Sequence, residues 1–375
     1  MCSTVMLDDN NLCMKILHIA YFGRSGKLNG IYEAVTCLAN AQIKLNNDVK
    51  IAITTKQSVV DEQFIYYTPT TKEFKTLIDS YKPDIVVFNS LYEIQQITFS
   101  HLLRKRNIPY VLVFHGGASR DNAKKGWLKK KIANLLLFNW FIHKAKAVIY
   151  LSENEYKKSV FKRTNSNYTI LPNGVNVPND VIPCRIASEK MNITFLSRID
   201  YYGKGIDVLL EAIKELQNEG WEDKIEFNFY GNKYDDTYKL LLEYGDFVKY
   251  HGFVAGEKKA DVLKKASINI LPSRSEGMPM TILEALSYGC PCMVTPMTNM
   301  AELIKENHCG WVIDLTAESI VRTIKNAYEE LSVNPNKYFE ECRNTAKKYS
   351  WDNVAKESMV FYKELIGKES KESWP

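Results

Sequence analysis

The stretch SINILPSRSEGMPMTILEALSYGCPCMVT, residues 267–295, contains a complete strand–helix–strand pattern. It opens with the short apolar run Ser267–Leu271 and closes with a second one, Cys292–Thr295. Between them lies an apolar helical pattern, which Gly289 and Pro291 bring to a stop. Two apolar strands joined through a helix predict a parallel pair of strands in one sheet.

The same alternation extends over most of the chain. Its strand candidates are continuous apolar runs, as expected for strands that are covered on both faces. In the first half they are Lys15–Ala20, Val49–Thr54, Asp84–Phe88, Tyr110–Phe114 and Ala147–Leu151, and in the second half Asn192–Ser197, Lys224–Tyr230, Phe247–His251, Ser267–Leu271 and Cys292–Thr295. Helical patterns such as Ile31–Leu45 separate them. The predicted fold class is α/β, with two doubly wound Rossmann-like domains in tandem.

The boundary between the two domains is predicted from a loop-rich stretch with prolines at 172, 178 and 183 and no clear period. The expected organisation is a loose N-terminal extension over 1–13, a first domain over 14–175, a linker over 176–190, a second domain over 191–350, a C-terminal helix over 351–366 that packs back on the first domain, and a tail over 367–375. Ligands of such folds bind beyond the carboxyl ends of the strands, so the loops that follow each strand are the candidate sites.

The composition excludes several classes of protein. With 45% hydrophobic and 25% charged residues, the chain is typical of a globular protein rather than a disordered or fibrous one. Its net charge of +5 is too small to indicate nucleic-acid binding. No apolar run approaches the roughly 20 residues that span a bilayer, and Asp8 and Asp9 lie where a secretory signal would carry lysines. We therefore expect a cytoplasmic protein.

The eight cysteines indicate neither a metal site nor a disulfide framework. They lie at positions 2, 13, 37, 184, 290, 292, 309 and 342, without the paired spacing of a zinc site. Cys290-Pro-Cys292 lacks the CxxC spacing of a redox motif. We expect most of them to be buried thiols, and we predict no metal ligands and no cofactor.

A basic, aromatic-rich patch covers residues 124–146. Between Asp121 and Glu153 there is no acidic residue. The patch contains Lys124, Lys125, Lys129, Lys130, Lys131, Lys144 and Lys146 together with Trp127, Leu135, Leu136, Leu137, Phe138, Trp140 and Phe141. Such a helix can lie in the headgroup region of an anionic membrane, where each basic residue adds about 1 kcal/mol. The alternative is a helix that faces the core and begins with solvated lysines.

The loop after Asn192–Ser197 combines two cations and two glycines before a helix that begins near Ile206. Arg198 can bind phosphate oxygens with its planar guanidinium, and Lys204 supplies a compact charge. A helix N-terminus adds backbone N–H groups directed at an anion. This loop suits a diphosphate, although a surface loop with charges in solvent explains the same residues.

The loop after Ser267–Leu271 carries two carboxylates eight residues apart, Glu276 and Glu284, with Gly277 between them. Thr281 is a plausible N-cap, which would place Glu284 in the first turn of the following helix. Both carboxylates can then face one ligand. A carboxylate near a helix N-terminus also has a purely structural role, worth about 0.3–1 kcal/mol, in stabilising the helix dipole.

Taken in order, these motifs make the chain resemble the group 1 (family 4) glycosyltransferases of the GT-B fold, of the bacterial surface-polysaccharide type. The Glu-x7-Glu signature of that family corresponds to Glu276 and Glu284, and its Arg followed by Lys-Gly corresponds to Arg198 and Lys204-Gly205. Further matches are Asn173-Gly174-Val175, His251-Gly-Phe-Val254 and the late Ser350-Trp351-Asp352. The resemblance extends from Met14 to about Ile366 and is weaker in the first domain.

The resemblance implies a role for each matching residue. Arg198 and Lys204 would bind the donor diphosphate, Glu284 the ribose hydroxyls, and the backbone around Phe253 and Val254 the base. Glu276 would hold the transferred sugar together with the loop backbone of Gly277, Met278, Pro279, Met280 and Thr281. In the first domain, Gly30 matches one glycine of the family's glycine-rich loop, and His115 lies where related enzymes present a histidine to the reaction centre. A hydrogen-bonded histidine at a strand end is the structural alternative for His115.

The implied reaction is the transfer of a sugar, with retention, from a nucleotide-diphosphate sugar to an acceptor hydroxyl. We expect it to be independent of metal, because Arg198 and Lys204 can stabilise the departing diphosphate. Glu276 would orient the sugar and not act as a nucleophile. By analogy, the acceptor is a surface glycan, lipid-linked on the inner face of the plasma membrane.

Other readings of the same motifs stay open. A nucleotide-sugar epimerase of the same architecture would also bind a diphosphate, and a non-catalytic subunit would bind a sugar nucleotide without turnover. A glycosidase also uses paired carboxylates, but it has no need of a diphosphate loop.

Overall fold

The structure is a computed structural model that describes residues 13–21, 30–54, 64–118, 137–183 and 190–367. Within these ranges the strands form two separate parallel sheets, one in each half of the chain. The fold class is therefore α/β, as predicted.

The first sheet contains seven strands in the order β3-β2-β1-β4-β5-β6-β7, all of them parallel. Their bounds are β1 Lys15–Ala20, β2 Asp48–Ile53, β3 Ile65–Tyr67, β4 Ile85–Phe88, β5 Tyr110–Val113, β6 Ala147–Tyr150 and β7 Tyr168–Ile170. The helices that accompany them are α1 Gly30–Lys44, α2 Thr71–Tyr81, α3 Ile94–Arg104, α4 Asn139–His143 and α5 Glu153–Lys158. The order reverses between β1 and β4, which is the switch point where open parallel sheets leave a crevice.

The second sheet contains six parallel strands in the order β10-β9-β8-β11-β12-β13. Their bounds are β8 Met191–Leu196, β9 Ile225–Tyr230, β10 Val248–Gly252, β11 Ile268–Leu271, β12 Cys292–Val294 and β13 Gly310–Val312. The helices are α6 Ile206–Asn218, α7 Thr237–Leu241, α8 Gly256–Lys265, α9 Met280–Ser287, α10 Ala301–Glu306, α11 Ala317–Val333, α12 Phe339–Lys348 and α13 Trp351–Gly367. The switch point lies between β8 and β11, so the two candidate loops leave the sheet side by side.

The last helix returns to the first half of the fold. α13 packs against α1, although it follows the helices of the second sheet in sequence. At its start, the side chain of Trp351 lies against Gly174, where an added Cβ would be only 2.4 Å from the indole ring. Glycine is therefore required at position 174, because any larger residue would displace this tryptophan.

One local prediction, the N-cap of α9, is wrong. The helix begins at Met280 with Pro279 as its N-cap, and no side chain caps it. Thr281 lies inside the helix, and Glu284 is its fifth residue rather than part of the first turn. Proline fixes its own φ, so Pro279 sets the entry of the chain into this helix and takes the position that the sequence pattern assigned to threonine.

Candidate active site

The two loops at the second switch point meet through an ion pair. Lys204 Nζ lies 2.5 Å from Glu276 Oε1, and the Oγ of Ser273 donates to the same oxygen at 2.6 Å. Both charged side chains are largely buried, at 15% and 14% exposure. The lysine that precedes α6 and the carboxylate that precedes α9 therefore form one polar cluster, and the diphosphate and sugar roles that the resemblance implies for them stay predictions.

The backbone beside Glu276 is held by an asparagine that the sequence analysis did not single out. Asn299, at a φ of 60°, donates from Nδ2 to the carbonyls of Glu276 and Gly277 at 2.7 and 3.0 Å. Its Oδ1 accepts a hydrogen bond of 3.1 Å from Lys158 Nζ, which belongs to the first sheet's α5. A residue of the first half of the chain thus helps to fix the Glu276 loop.

Glu284 lies in a second, interdomain cluster of charges. Its Oε1 is 2.5 Å from Lys259 Nζ on α8, and the same ammonium is 3.4 Å from Glu33 Oε1 on α1. Burial raises the pKa of Glu284 to about 7, since the nearby Glu33 adds to this effect and Lys259 only partly opposes it. The other oxygen, Oε2, is buried and has no hydrogen-bond partner among the described residues.

Arg198 does not join either cluster. Its guanidinium is half-exposed, pairs with Asp200 at 2.8 Å and stacks on Tyr234, with 4.2 Å between its central carbon and the ring centroid. A different arginine, Arg274, makes the bidentate pair of this region, with both oxygens of Asp207 at 2.6 and 2.7 Å. Arg274 therefore braces the loop against α6, while Arg198 is the more exposed cation at the cleft.

The first domain contacts the Glu276 loop through the backbone of a glycine. A Cβ added at Gly116 would lie 2.9 Å from the Cα of Gly277, and one at Gly277 would lie 2.9 Å from the nitrogen of Gly116. The buried carboxylate of Glu155 accepts hydrogen bonds of 2.6 Å from the N–H groups of Gly116 and Leu151. Burial raises the pKa of Glu155 even so. Two glycines, one from each domain, thus bring the loop of His115 into contact with the Glu276 loop.

His115 itself adopts a left-handed backbone with φ 46°. Its Nε2 is 3.5 Å from Asn89 Oδ1. Burial, with His18 nearby, lowers the pKa of His115 to about 4, so the ring is neutral at physiological pH. The structure places this histidine at the domain interface, since its backbone carbonyl carbon would lie 3.0 Å from a Cβ at Gly277.

The remaining predicted residues lie around these clusters. The carbonyl of Met278 accepts a hydrogen bond of 3.0 Å from Asn173 Nδ2. Met280 and Thr281 begin α9, where first-turn N–H groups have no intrahelical acceptor. Gly30 begins α1 with open space around its Cα, Phe253 is 57% exposed after β10, and Val254 packs against the core.

The basic, aromatic-rich patch is only partly described. Residues 124–136 lie outside the described ranges. Of the rest, Phe138 and Phe141 are buried in the core of the first domain, and Trp140 stacks on His101. For these two phenylalanines the core-facing alternative is correct. In the part of the chain that the structure describes, no helix is long and apolar enough to cross a bilayer, and no group of acidic, histidine and cysteine side chains could hold a metal ion.

Two models of glycosyltransferase families match the chain. Residues 190–330 match the family described as Glycosyl transferases group 1, and residues 34–178 match Glycosyltransferase Family 4. An uncharacterized glycosyltransferase of Methanocaldococcus jannaschii is 31% identical over 191 residues, which cover 48% of this chain and 47% of that protein. A second one from the same organism is 23% identical over 351 residues, covering 86% and 92%. The chain thus matches about half the length of the first relative and most of the second.

A third relative has a defined name. The UDP-Gal:alpha-D-GlcNAc-diphosphoundecaprenol alpha-1,3-galactosyltransferase of Escherichia coli is 33% identical over 85 residues, or 22% of this chain and 21% of that protein. Among solved structures, sucrose-phosphate synthase from Thermosynechococcus elongatus has a TM-score of 0.72 at 16% identity, covering 94% of this chain and 99% of the other. A second, Anabaena HepE in complex with UDP-glucose, has a TM-score of 0.69 at 13% identity, covering 94% and 100%. The structural likenesses establish the fold.

Two doubly wound domains, with the loop after β5 of the first in contact with the loop after β11 of the second, define a protein of GT-B architecture. The chain belongs to the group 1, family 4 glycosyltransferases, and its enzyme class is that of a hexosyltransferase.

Proposed function

We propose that this enzyme is a retaining, metal-independent glycosyltransferase that moves a hexose or N-acetylhexosamine from a nucleotide-diphosphate sugar to a growing, lipid-linked surface glycan. UDP is the expected nucleotide, rather than GDP. The observation that carries the proposal is the pair of Lys204 and Glu276, which lies beside the first turn of α9 and opposite the loop of His115.

The cations of the cleft support a diphosphate site. Lys204 is fixed at the start of α6, and the first-turn N–H groups of α9 lie beside the same loop. Among the described residues, Arg198 pairs with Asp200 and stacks on Tyr234, and we expect it to exchange this carboxylate for phosphate oxygens. Together they provide the positive charge that the leaving diphosphate requires.

The unpartnered oxygen of Glu284 supports a ribose site. A buried carboxylate oxygen without a hydrogen bond costs free energy unless a ligand supplies a donor. Ribose hydroxyls are such donors, and a carboxylate can accept from two of them. We therefore assign Glu284 to the nucleoside and Glu276 to the sugar that is transferred.

In the reaction, the bond between the anomeric carbon and the diphosphate oxygen breaks while the acceptor oxygen attacks from the same face. The acceptor hydroxyl proton passes to the departing phosphate, so no protein nucleophile is needed. Glu276 is already engaged by Lys204 and Ser273, as suits a group that orients a substrate. Neutral His115 can contribute a hydrogen bond to the sugar from the other domain.

The relatives support the acceptor class. The Escherichia coli relative is named for transfer to a diphosphoundecaprenol-linked sugar, and another relative, from Klebsiella pneumoniae, is encoded in a cps region. We propose that the present enzyme works on such an acceptor at the inner face of the plasma membrane. The lysines of the 124–146 segment would provide a peripheral contact with anionic lipid.

A panel of UDP-, GDP- and ADP-sugars, incubated with the purified protein without added metal and followed by NMR, tests the proposal. We expect one donor to release nucleoside diphosphate slowly, and faster when a lipid-linked acceptor is added. The coupling constant of the new anomeric proton reports retention. Glu284→Ala and Arg198→Ala should abolish this release, whereas Arg322→Ala, a change of an exposed arginine on α11, should not.

Other outcomes of this panel would contradict the transferase. A sugar that is epimerised without an acceptor would identify an epimerase of the same architecture. Tight binding of a sugar nucleotide with no turnover, for any acceptor tried, would identify a non-catalytic subunit. Inversion at the anomeric carbon would overturn the proposed mechanism while leaving the enzyme class intact.

A further inference from the structure

A chain of buried polar side chains leads from His115 through the first domain to α13. Beyond the contact of His115 with Asn89, the amide nitrogen of Asn89 lies 3.3 Å from His18 Nδ1. His18 Nε2 is 2.9 Å from Gln42 Oε1, and Gln42 Nε2 donates to Ser358 Oγ at 3.0 Å. Asn89 is 2% exposed, and His18, Gln42 and Ser358 are fully buried. Four side chains from β1, α1, α13 and the loop after β4 therefore form one continuous relay.

The donors and acceptors of these hydrogen bonds are arranged in one direction along the relay. Ser358 donates its hydroxyl hydrogen to the carbonyl of Ala355 at 2.7 Å, so its oxygen can only accept from Gln42. The amide of Gln42 then presents its carbonyl oxygen to His18, which must donate from Nε2 and accept at Nδ1. No link can be reversed without breaking the next one.

Backbone carbonyls fix the last link. Asn89 Nδ2 also lies 3.1 and 3.4 Å from the carbonyl oxygens of Val87 and Ile19, so its two hydrogens are shared among these oxygens and His18 Nδ1. These contacts determine which end of the Asn89 amide is nitrogen, and hence that its oxygen faces His115. A hydrogen bond between this oxygen and His115 Nε2, which lie 3.5 Å apart, requires that His115 carry its hydrogen on Nε2.

We infer that Asn89, His18, Gln42 and Ser358 are positioning residues that hold His115 as the neutral Nε2–H tautomer, with Nδ1 kept as a hydrogen-bond acceptor for a sugar hydroxyl. The inference rests on the proposed function, in which His115 faces the sugar. Beyond that function, it specifies which ring nitrogen of His115 contacts the substrate and which residues fix the tautomer. Because α13 supplies Ser358, the tautomer also depends on the helix that returns from the second domain.

The charged groups around the relay agree with this assignment. His18 is the titratable side chain that faces His115, and burial lowers the pKa of His18 to about 4, so neither ring carries a charge near neutral pH. Tyr362 on α13 lies beside Gln42, and burial raises its pKa far above the ordinary value. Glu155 binds the N–H of Gly116, the residue after the histidine.

Selective labelling of histidine rings with ¹⁵N tests the tautomer directly. The chain has six histidines, and single His18→Gln and His115→Gln variants assign the two signals of interest. In the wild-type protein we expect both rings to be neutral Nε2–H tautomers from pH 5.5 to 8.5. An Nδ1–H tautomer of His115, or a mixture of the two, would overturn the inference without any need for an active enzyme.

Variants then test the relay. Asn89→Asp offers a carboxylate between the two rings, which should raise the pKa of both by about 1–3 units. Asn89→Leu should release the His115 tautomer and lower kcat by about 10- to 100-fold, since the acceptor atom is no longer fixed. Thr36→Val is the matched control, because Thr36 is a buried hydroxyl of α1 that bonds only to carbonyls of its own helix.

The outcomes separate the relay from the proposed function. If His115→Ala loses transfer but Asn89→Leu keeps the wild-type kcat and pH profile, the relay is refuted and the transferase stands. If no donor is turned over by the wild-type protein, the proposed function fails, and the NMR result still decides the tautomer. A folded Asn89→Asp variant whose two pKa values do not move also refutes the relay.

Discussion

Glu284 is proposed as a binding residue because of a hydrogen bond that it lacks. It shares Lys259 with Glu33, so two carboxylates compete for one ammonium at the domain interface. One carboxylate oxygen is left buried without a donor. We expect a hydrogen bond from a ribose hydroxyl to stabilise this buried oxygen. Donor affinity should then depend on whether Glu284 is ionised.

Donor affinity should rise with pH across the pKa of Glu284. Burial raises that pKa to about 7 in the free protein, and hydroxyl donors bind the ionised carboxylate. The protonated form dominates below pH 7, so the dissociation constant of a UDP-sugar should be about tenfold higher at pH 6 than at pH 8. Isothermal titration calorimetry over this range, with Glu284→Gln as the variant that removes the dependence, measures the effect.

The same residue affects stability with the opposite sign. Its folded pKa lies above the ordinary carboxyl value, so the folded state binds the proton more tightly than the unfolded state. The stabilisation is present below the unfolded pKa and is lost as pH rises through about 7.

For the binding experiment, a donor affinity that falls between pH 6 and pH 8, instead of rising, would show that Glu284 binds as a neutral acid.

A glycine of the Glu276 loop should be essential for a different reason. A Cβ at Gly277 would lie 2.9 Å from the nitrogen of Gly116 and 3.0 Å from the carbonyl carbon of His115. Gly277→Ala should therefore separate the two loops and lower kcat/KM by about 100-fold, as expected for a misplacement of about 1 Å. Gly367→Ala is the control, since no atom of the described residues lies within 4 Å of a Cβ added there. Wild-type kinetics for Gly277→Ala would show that the cleft opens during turnover.

The charged residues of the donor loops were predictable because each follows a strand in sequence. Lys204 and Glu276 lie in the loops that follow β8 and β11, which lie side by side in the sheet. By contrast, Glu33, Lys259 and Asn299 carry no local signal. Contacts between segments far apart in sequence bring them together, since Lys259 of α8 pairs with Glu33 of α1 and Asn299 binds the Glu276 loop. Their roles depend on tertiary structure that no spacing in the sequence encodes.

The strands that are covered on both faces were predicted closely from the sequence. Every predicted strand exists, with ends that differ by one residue at most, and α1 and α6 begin within a residue of their predicted starts. Three strands were missed: β3, β7 and β13. Each has three residues, lies at an edge of its sheet and is only partly buried. Edge strands need no continuous apolar run, so the pattern that identified the others is absent from them.

The entry into α6 is sensitive to the addition of a single methyl group. Gly205, with φ 69°, is the N-cap, and a Cβ there would lie 2.0 Å from the carbonyl oxygen of Pro272. Gly205→Ala should lower the free energy of unfolding by about 2–4 kcal/mol, from the clash as well as the left-handed backbone. Urea denaturation at an unchanged m-value measures it.

Gly220 supplies the matched comparison, because it shares the left-handed backbone and lacks the clash. Its φ is 74°, and nothing lies within 4 Å of an added Cβ. Gly220→Ala should therefore cost only about 1 kcal/mol. Equal losses for the two variants would mean that backbone conformation alone, and not the contact with the β11 loop, makes Gly205 necessary.

The two domains are joined by specific polar contacts as well as by the crossing of α13. Asn173 donates to the carbonyl of Met278, and Lys158 to Asn299. Arg343 on α12 donates to the carbonyls of Ser287 and Pro178, so the connection between the domains is tied to the end of α9. The contacts of Asn173 and Lys158 lie at the loop that carries Glu276, whereas those of Arg343 lie at the opposite end of α9.

Lys158 gives the clearest test of this arrangement. Its ammonium reaches Asn299 from the first domain, and Asn299 holds the carbonyls of Glu276 and Gly277 in the second. Lys158→Met should remove one charged hydrogen bond and lower kcat about tenfold, while affinity for the free nucleotide changes less than twofold. In the proposed function, nucleotide binding depends mainly on the second domain, whereas catalysis requires the two loops to meet. Lys157→Met, one residue away and exposed, should leave both constants unchanged. A loss of nucleotide affinity equal to the loss of kcat would place Lys158 in direct contact with the donor instead.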